Sequence, residues 1–231
     1  MLYEEFSKIS ICTTCMDRND MLIQTIPSWL KLPVEEIVIV DWTSKKPVIE
    51  TLEENNIKDK RISIARVNDK KYYEHSLARN LKVFLCNTEW VLSVDSDVKI
   101  FESLFEGIYK LNGRKLYCLP FNSLNNSCFG TTIFRKKDYM NIGGCNTNLT
   151  GWGYEDMDLN HRLIDSGCEH IKLNQKDMYH IPHNDNRRVE NCLIKNKWES
   201  NSLNMYKCSK PFDNVWKNQK VEFEITKKGL L

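Results

Sequence analysis

The 231-residue chain balances 33 Lys+Arg against 31 Asp+Glu for a formal net charge of +2, with 41% hydrophobic and 28% charged residues. That length supports one substantial core and is short for two. The charge balance excludes a dedicated nucleic-acid binder, which concentrates basic residues on one face.

Lys8 to Thr13 is a β-branched run that reads as a buried strand, and it leads into Cys12-Thr13-Thr14-Cys15. Such a CxxC serves redox chemistry, or half a zinc site completed by His180 and His183. No second close cysteine pair supports zinc, and a redox domain leaves most of the chain unexplained. The nine cysteines are an odd number without a compact framework, which points to reduced thiols and a cytoplasmic location. Asn19 to Leu30 has helical spacing, bent or ended by Pro27. Glu36–Asp41 predicts a second strand, Pro47–Asn55 a helix with proline in its first turn, and Ile62–Val67 a third strand. Glu74–Cys86 predicts a helix, and Trp90–Asp95 a fourth strand ending, like the second, on an aspartate. Alternating strands and helices imply a mostly parallel sheet flanked by helices. Ligands then lie beyond the carboxyl ends of the strands, where Asp41 and Asp95 fall.

The second half carries strand-like runs at Leu116–Leu119 and Phe129–Phe134 around the polar loop Asn122–Ser127. A Gly143-Gly144 turn, an acidic helix from Glu155, a strand near Ile171–Leu173 and a helical stretch from Arg188 to about Tyr206 follow. We expect a single domain over residues 1–231: a nucleotide-binding half to about residue 100, an acceptor-binding half over about 101–206, and a C-terminal tail over 207–231 that wraps the domain or frays. The acidic start Met1-Leu2-Tyr3-Glu4-Glu5 is not a signal peptide, and no membrane-spanning run appears. Peripheral membrane contact stays open.

Three constellations carry chemistry. In Gly151-Trp152-Gly153-Tyr154-Glu155-Asp156-Met157-Asp158 the glycines let backbone approach a ligand and the indole offers a flat wall for a sugar ring. Glu155 and Asp156 fall in a helical first turn, where the dipole and free N–H groups favour negative charge. Asp95-Ser96-Asp97 closes an apolar strand and aims two carboxylates at one hard cation. His180 and His183, with Pro182 fixing the bend, join Asp97 in a mixed O/N site suited to Mn²⁺, with Mg²⁺ as the alternative. Arg79 and Asn80, about one turn into their helix, reach a base or phosphate; for Arg79 an ion pair with Glu74 or another acid is the competing reading.

In order, these pieces resemble GT-A-fold glycosyltransferases of the family 2-like and galactosyltransferase C-terminal domain types, from Ile9 to about Arg188. The resemblance implies nucleotide contacts from Thr13 and Arg18 in the first-strand motif and from Asp41 in Val40-Asp41-Trp42-Thr43-Ser44, where Trp42 replaces the customary second aspartate. Ser76-Leu77-Ala78-Arg79-Asn80 is similar to the family's S-x-A-R-N helix, and Asp95-Ser96-Asp97 to its D-x-D, which implies Asp95 against the nucleotide-sugar and Asp97 on the metal. Gly151 to Asp156 is similar to its acceptor and base motif. This implies Asp156 as base, Glu155 as acceptor ligand and partner in catalysis, and Trp152, Gly153 and Tyr154 against the acceptor. His183, with His180, matches the downstream metal position. The implied activity is metal-dependent, inverting transfer of galactose, N-acetylgalactosamine or glucose from a UDP-sugar to a glycan or other hydroxyl acceptor. A sugar-nucleotide pyrophosphorylase usually begins with a glycine-rich loop after its first strand, and Cys12–Arg18 contains no glycine. A non-catalytic nucleotide-sugar-binding domain is the remaining rival.

Overall fold

A computed structural model describes residues 9–108, 116–120, 128–208 and 221–228. The Asn122–Ser127 loop and most of the 207–231 tail lie outside them.

The first half folds as the alternation requires. Strands β1 (Ile9–Cys15), β2 (Glu36–Trp42), β3 (Ile62–Val67) and β4 (Trp90–Ser93) alternate with helices α1 (Asn19–Trp29), α2 (Val48–Glu54) and α3 (His75–Leu85). Pro27 sits in the last turn of α1, which closes two residues later. Pro47 caps α2 instead of entering its first turn. The chain then adds β5 (Val98–Ile100), α4 (Ser103–Ile108), β6 (Leu116–Pro120), β7 (Thr132–Arg135), α5 (Lys136–Asn141), α6 (Glu155–Asp165), β8 (Glu169–Leu173) and β9 (Met178–His180). Helices α7 (Asp185–Val189) and α8 (Lys197–Cys208) and strand β10 (Glu224–Lys228) complete it.

Eight strands form one sheet in the order β10-β3-β2-β1-β4-β7-β6-β8, and β5 and β9 pair separately. Only β7 and β10 run against the others in the large sheet. The fold class is therefore the mostly parallel, helix-flanked α/β sheet that the alternation implies. Within the 207–231 tail, residues 224–228 pair antiparallel with β3.

β1 is buried over its whole length, so its two faces feed different cores. Ile9, Ile11 and Cys15 join Leu22, Ile26 and Trp29 of α1 on one side, while Cys12 joins Val83 of α3 on the other. Each fully buried apolar side chain of this size contributes about 1.5–3 kcal/mol. The same alternation disposes of the CxxC, because cysteines three apart on a strand point to opposite faces. Cys12 and Cys15 are both free thiols, and burial pushes Cys15 up to about 12.

The helix expected from Arg188 to Tyr206 is two helices. The first ends at Val189, and Asn196 starts α8, accepting from the backbone N–H groups of Trp198 and Glu199 at 3.0 and 3.1 Å, as an asparagine N-cap does. No helix among the described residues is long and apolar enough to cross a membrane.

Candidate active site

β1 has β2 on one side and β4 on the other, so the direction of winding reverses between β1 and β4. A crevice opens at such a point beyond the strand ends. A cavity of about 500 Å³ lies there, lined by residues of both halves of the chain.

The D-x-D loop follows β4 and is held from below. Thr25 Oγ donates to Ser96 O at 2.9 Å, Trp29 Nε1 to Val98 O at 3.0 Å, and Lys82 Nζ to Val94 O at 3.3 Å. Strand β9 pairs with β5, placing His180 opposite Val98, and Ile181 N donates to Asp97 O at 2.8 Å. Asp97 Oδ2 is thereby 2.9 Å from His183 Nε2, 3.7 Å from His180 Nε2 and 3.8 Å from Arg18 Nη1. The ligand atoms of Asp97, His180 and His183 all lie within 4.8 Å of one another. His183 Nδ1 is 3.0 Å from the Asn184 carbonyl. With its proton donated there, Nε2 turns a lone pair on Asp97 Oδ2, and two acceptors at 2.9 Å require a proton or a cation between them. Burial pushes the His180 pKa down, against the pull of Asp97, which favours the neutral, ligating ring. One carboxylate and two imidazoles thus fit a divalent cation.

The acceptor motif is shaped by helix α8. Gly151 (φ 79°), Gly153 (φ 98°) and Tyr154 (φ 70°) are all left-handed, and for the tyrosine that is a strained conformation of the kind concentrated at functional sites. Ser200 and Asn204, both fully buried, hold this loop. Trp152 N donates to Ser200 Oγ at 2.8 Å, and Asn204 Nδ2 donates to Gly153 O at 2.8 Å. A Cβ on Gly151 would lie 2.4 Å from Ser200 Oγ. The loop delivers Glu155 and Asp156 to the start of α6, in the same cavity lining as Trp152.

Arg79 meets these acids. Its guanidinium pairs with Asp156 and lies 3.4 Å from Asp95 and 3.6 Å from Glu155. Glu74 pairs instead with Lys70 at 3.0 Å. Burial opposes ionisation of Asp95, but Arg79 and Lys82 hold its pKa below the usual range. The third acid of the motif, Asp158, pairs with Arg162, which donates to Ile142 O at 3.1 Å and Gly144 O at 2.7 Å. It anchors α6 rather than facing the cavity.

Arg18, Arg79, Asp95, Asp97, Trp152, Gly153, Tyr154, Glu155, Asp156 and His183 line the cavity together, with His180 against Asp97. Three expected nucleotide contacts are elsewhere. Thr13 is wholly buried in β1, and its neighbour Thr14 faces the cavity instead. Asp41 is 1% exposed and spent on the protein: it accepts from Ser44 N and Val48 N, both at 3.0 Å, and pairs with Arg66. The wholly buried Asn80 accepts from Cys145 N (2.7 Å) and Tyr139 Oη (2.6 Å) and donates to Cys145 O (3.0 Å). It clamps the Gly143-Gly144 turn. Gly144 has φ 71°, and a Cβ there would lie 2.4 Å from Asn80 Oδ1 and 2.9 Å from Tyr139 Cε1. Gly144→Ala should therefore cost about 2–3 kcal/mol in chemical denaturation, from backbone strain and overpacking combined; a loss under about 0.5 kcal/mol contradicts the clamp.

His75, Tyr73, Arg188, Asn191 and Lys197 also line the cavity and were missed, because nothing in their spacing separates them from surface residues. Burial lowers His75 to about 4, against Glu155 and Asp95, which raise it, and with Arg79 and Arg18, which lower it further. Its ordinary value is 6.5, so between those values the unfolded chain binds a proton that the folded protein does not. His75 thus contributes stability that is complete above pH 6.5 and lost as pH falls toward 4. His75→Gln should flatten the loss of unfolding midpoint over that window; an unchanged slope contradicts the assignment.

Known proteins share parts of this sequence and its fold. Residues 119–184, which include the acceptor motif and His183, match the family described as the N-terminal domain of galactosyltransferase. A mannosyltransferase from Pyrobaculum calidifontis, solved with GDP-mannose and Mn²⁺, superposes with a TM-score of 0.60 at 11% identity, covering 77% of this chain and 58% of that one. The chain has the GT-A glycosyltransferase fold. A Drosophila β-1,4-galactosyltransferase 7 variant, solved with manganese, UDP-Gal and xylobiose, shares the fold at a TM-score of 0.54 and 14% identity, over 83% of this chain and 78% of that one. Human chondroitin sulfate synthase 3 is 36% identical over 55 residues, which is 24% of this chain and 6% of that protein. The match therefore spans a small part of that relative.

Proposed function

We propose that this protein is an inverting, metal-dependent glycosyltransferase that moves a hexose from a UDP-sugar to a hydroxyl of a glycan. The observation that carries the reading is one cavity lined by Asp97 and His183, with His180 against Asp97, and by Trp152, Glu155 and Asp156. A leaving diphosphate and an attacking hydroxyl need those two groups on opposite sides of one sugar ring. Asp156 takes the proton of the acceptor hydroxyl as it attacks the anomeric carbon from the face opposite UDP. Arg79 fixes the Asp156 carboxylate and offsets its repulsion with Asp95 and Glu155, so it is a positioning residue and not the nucleotide contact expected of it. Arg18 lies beside Asp97 on the diphosphate side. A divalent ion held by Asp97, His180 and His183 would supply neutralisation of the departing diphosphate.

Galactose, N-acetylgalactosamine and glucose are the donor sugars in view; the galactosyltransferase match favours the first two. Manganese is the preferred ion because imidazole shares the site with carboxylate, and magnesium is the substitute. The free thiols among the described residues support a cytosolic setting. The test is release of UDP from a UDP-sugar panel with Mn²⁺ and a mixture of glycan acceptors. No acceptor-stimulated release from any UDP-hexose would overturn the reading.

A further inference from the structure

At the acceptor side of the cavity two cations lie over the face of Trp152. Lys197 Nζ is 5.1 Å from the ring centroid and Arg188 Cζ is 5.7 Å from it. Lys197 also lies 5.4 Å from the ring of Trp198, an indole left 74% exposed. A single carboxylate serves both cations: Asp185 Oδ2 is 2.9 Å from Lys197 Nζ, and Asp185 Oδ1 is 3.2 Å from Arg188 Nε. One acid is thus shared by two bases, of which Arg188 also acts on Asp95. Stacking a neutral sugar on Trp152 means displacing cations whose contact with an indole is itself favourable. An anionic ring keeps them, because its charge enters the fork that Asp185 now occupies.

We infer that the acceptor is an anionic pyranose, whose carboxylate or sulfate is held by Lys197 and Arg188 while its ring lies between Trp152 and Trp198. This deepens the transferase reading and rests on it for the role of Trp152. Asp185 marks the position of the acceptor's charged group, and Trp198 supplies a second apolar wall outside the cavity. Lys197 and Arg188 thereby become specificity determinants of the acceptor, while the chemistry stays with Asp156.

Methyl β-glucuronide, methyl β-glucoside and methyl β-glucoside 6-sulfate share one ring and differ at C6, so they isolate the charge. Their dissociation constants are measured by ligand-observed saturation-transfer NMR on the whole chain with UDP and Mn²⁺. Pairing with the two cations should make one of the anionic rings bind about tenfold more tightly than the glucoside. Whichever anion is preferred identifies carboxylate or sulfate as the natural group. Lys197→Gln combined with Arg188→Gln keeps the stems on the indole, removes the charge and should erase the gap. Asp185→Asn should widen it, and Trp198→Ala should weaken all three ligands alike. A glucoside that binds as tightly as both anions, or a gap that survives the double glutamine variant, overturns the inference. Binding is read without turnover, so a protein that prefers the anion and releases no UDP would refute the transferase reading alone.

Discussion

Asp156→Asn should lower sugar transfer by roughly 10²–10⁴-fold while UDP-sugar binding persists. Two adjacent acids compete for the role of base, and their surroundings separate them. The Asp156 side chain is 22% exposed to the cavity, whereas that of Glu155 is 4% exposed. Glu155 also has one oxygen enclosed without a hydrogen-bond partner, so it is the less open of the two to an attacking hydroxyl. Asparagine keeps the size of Asp156 and an oxygen for Arg79 but cannot take a proton. Donor affinity should be preserved, since Arg18 and the histidines meet at Asp97 while Asp156 pairs with Arg79. Glu155→Gln should instead raise the acceptor KM more than the donor KM. NMR of the product gives an independent check: single displacement inverts the anomeric centre, and a product that retained the donor's α configuration would exclude Asp156 from this role.

The parts of the site legible in the sequence were those whose local pattern fixes their place. A D-x-D after an apolar strand must fall at a strand end, and a glycine-flanked tryptophan before an acidic first turn must present that turn. The errors lie where tertiary contacts decide. β1 is apolar on both faces, so alternation alone could not say whether Thr13 or Thr14 turns toward the crevice. Asp41 ends its strand as a ligand contact would, but Arg66 and two backbone N–H groups reach it first. Asn80 follows Arg79 by one residue, and that single helical step turns it from the cavity to the Gly144 turn. Short β5 and β9 carry too few residues to show a period, although their pairing brings His180 to Asp97. Ser200 and Asn204 are spaced like any polar pair on a helix, and only the packed loop reveals that they set the backbone of the acceptor motif.

Manganese should raise the unfolding midpoint of the native protein, and Asp97→Asn or His183→Ala should abolish that rise together with metal-dependent UDP binding. A ligand at 100 times its dissociation constant stabilises by about 2.7 kcal/mol, well within reach of a thermal shift. The backbone of the site does not depend on the side chains removed: Asp97 O still accepts from Ile181 N, and β5 still pairs with β9. Loss of the manganese effect therefore reports the cation and not a broken fold. Turnover should fall by roughly 10³-fold or more in these variants, because neutralising a leaving diphosphate is worth several kcal/mol. Arg18, at 3.8 Å from Asp97, supplies the control. Arg18→Met removes a competing positive charge from that carboxylate, so manganese should bind at least as tightly while UDP binds more weakly, splitting two effects that the Asp97 variant loses together. Full turnover after dialysis against EDTA, or an undiminished manganese shift in both Asp97→Asn and His183→Ala, would remove the metal from this site.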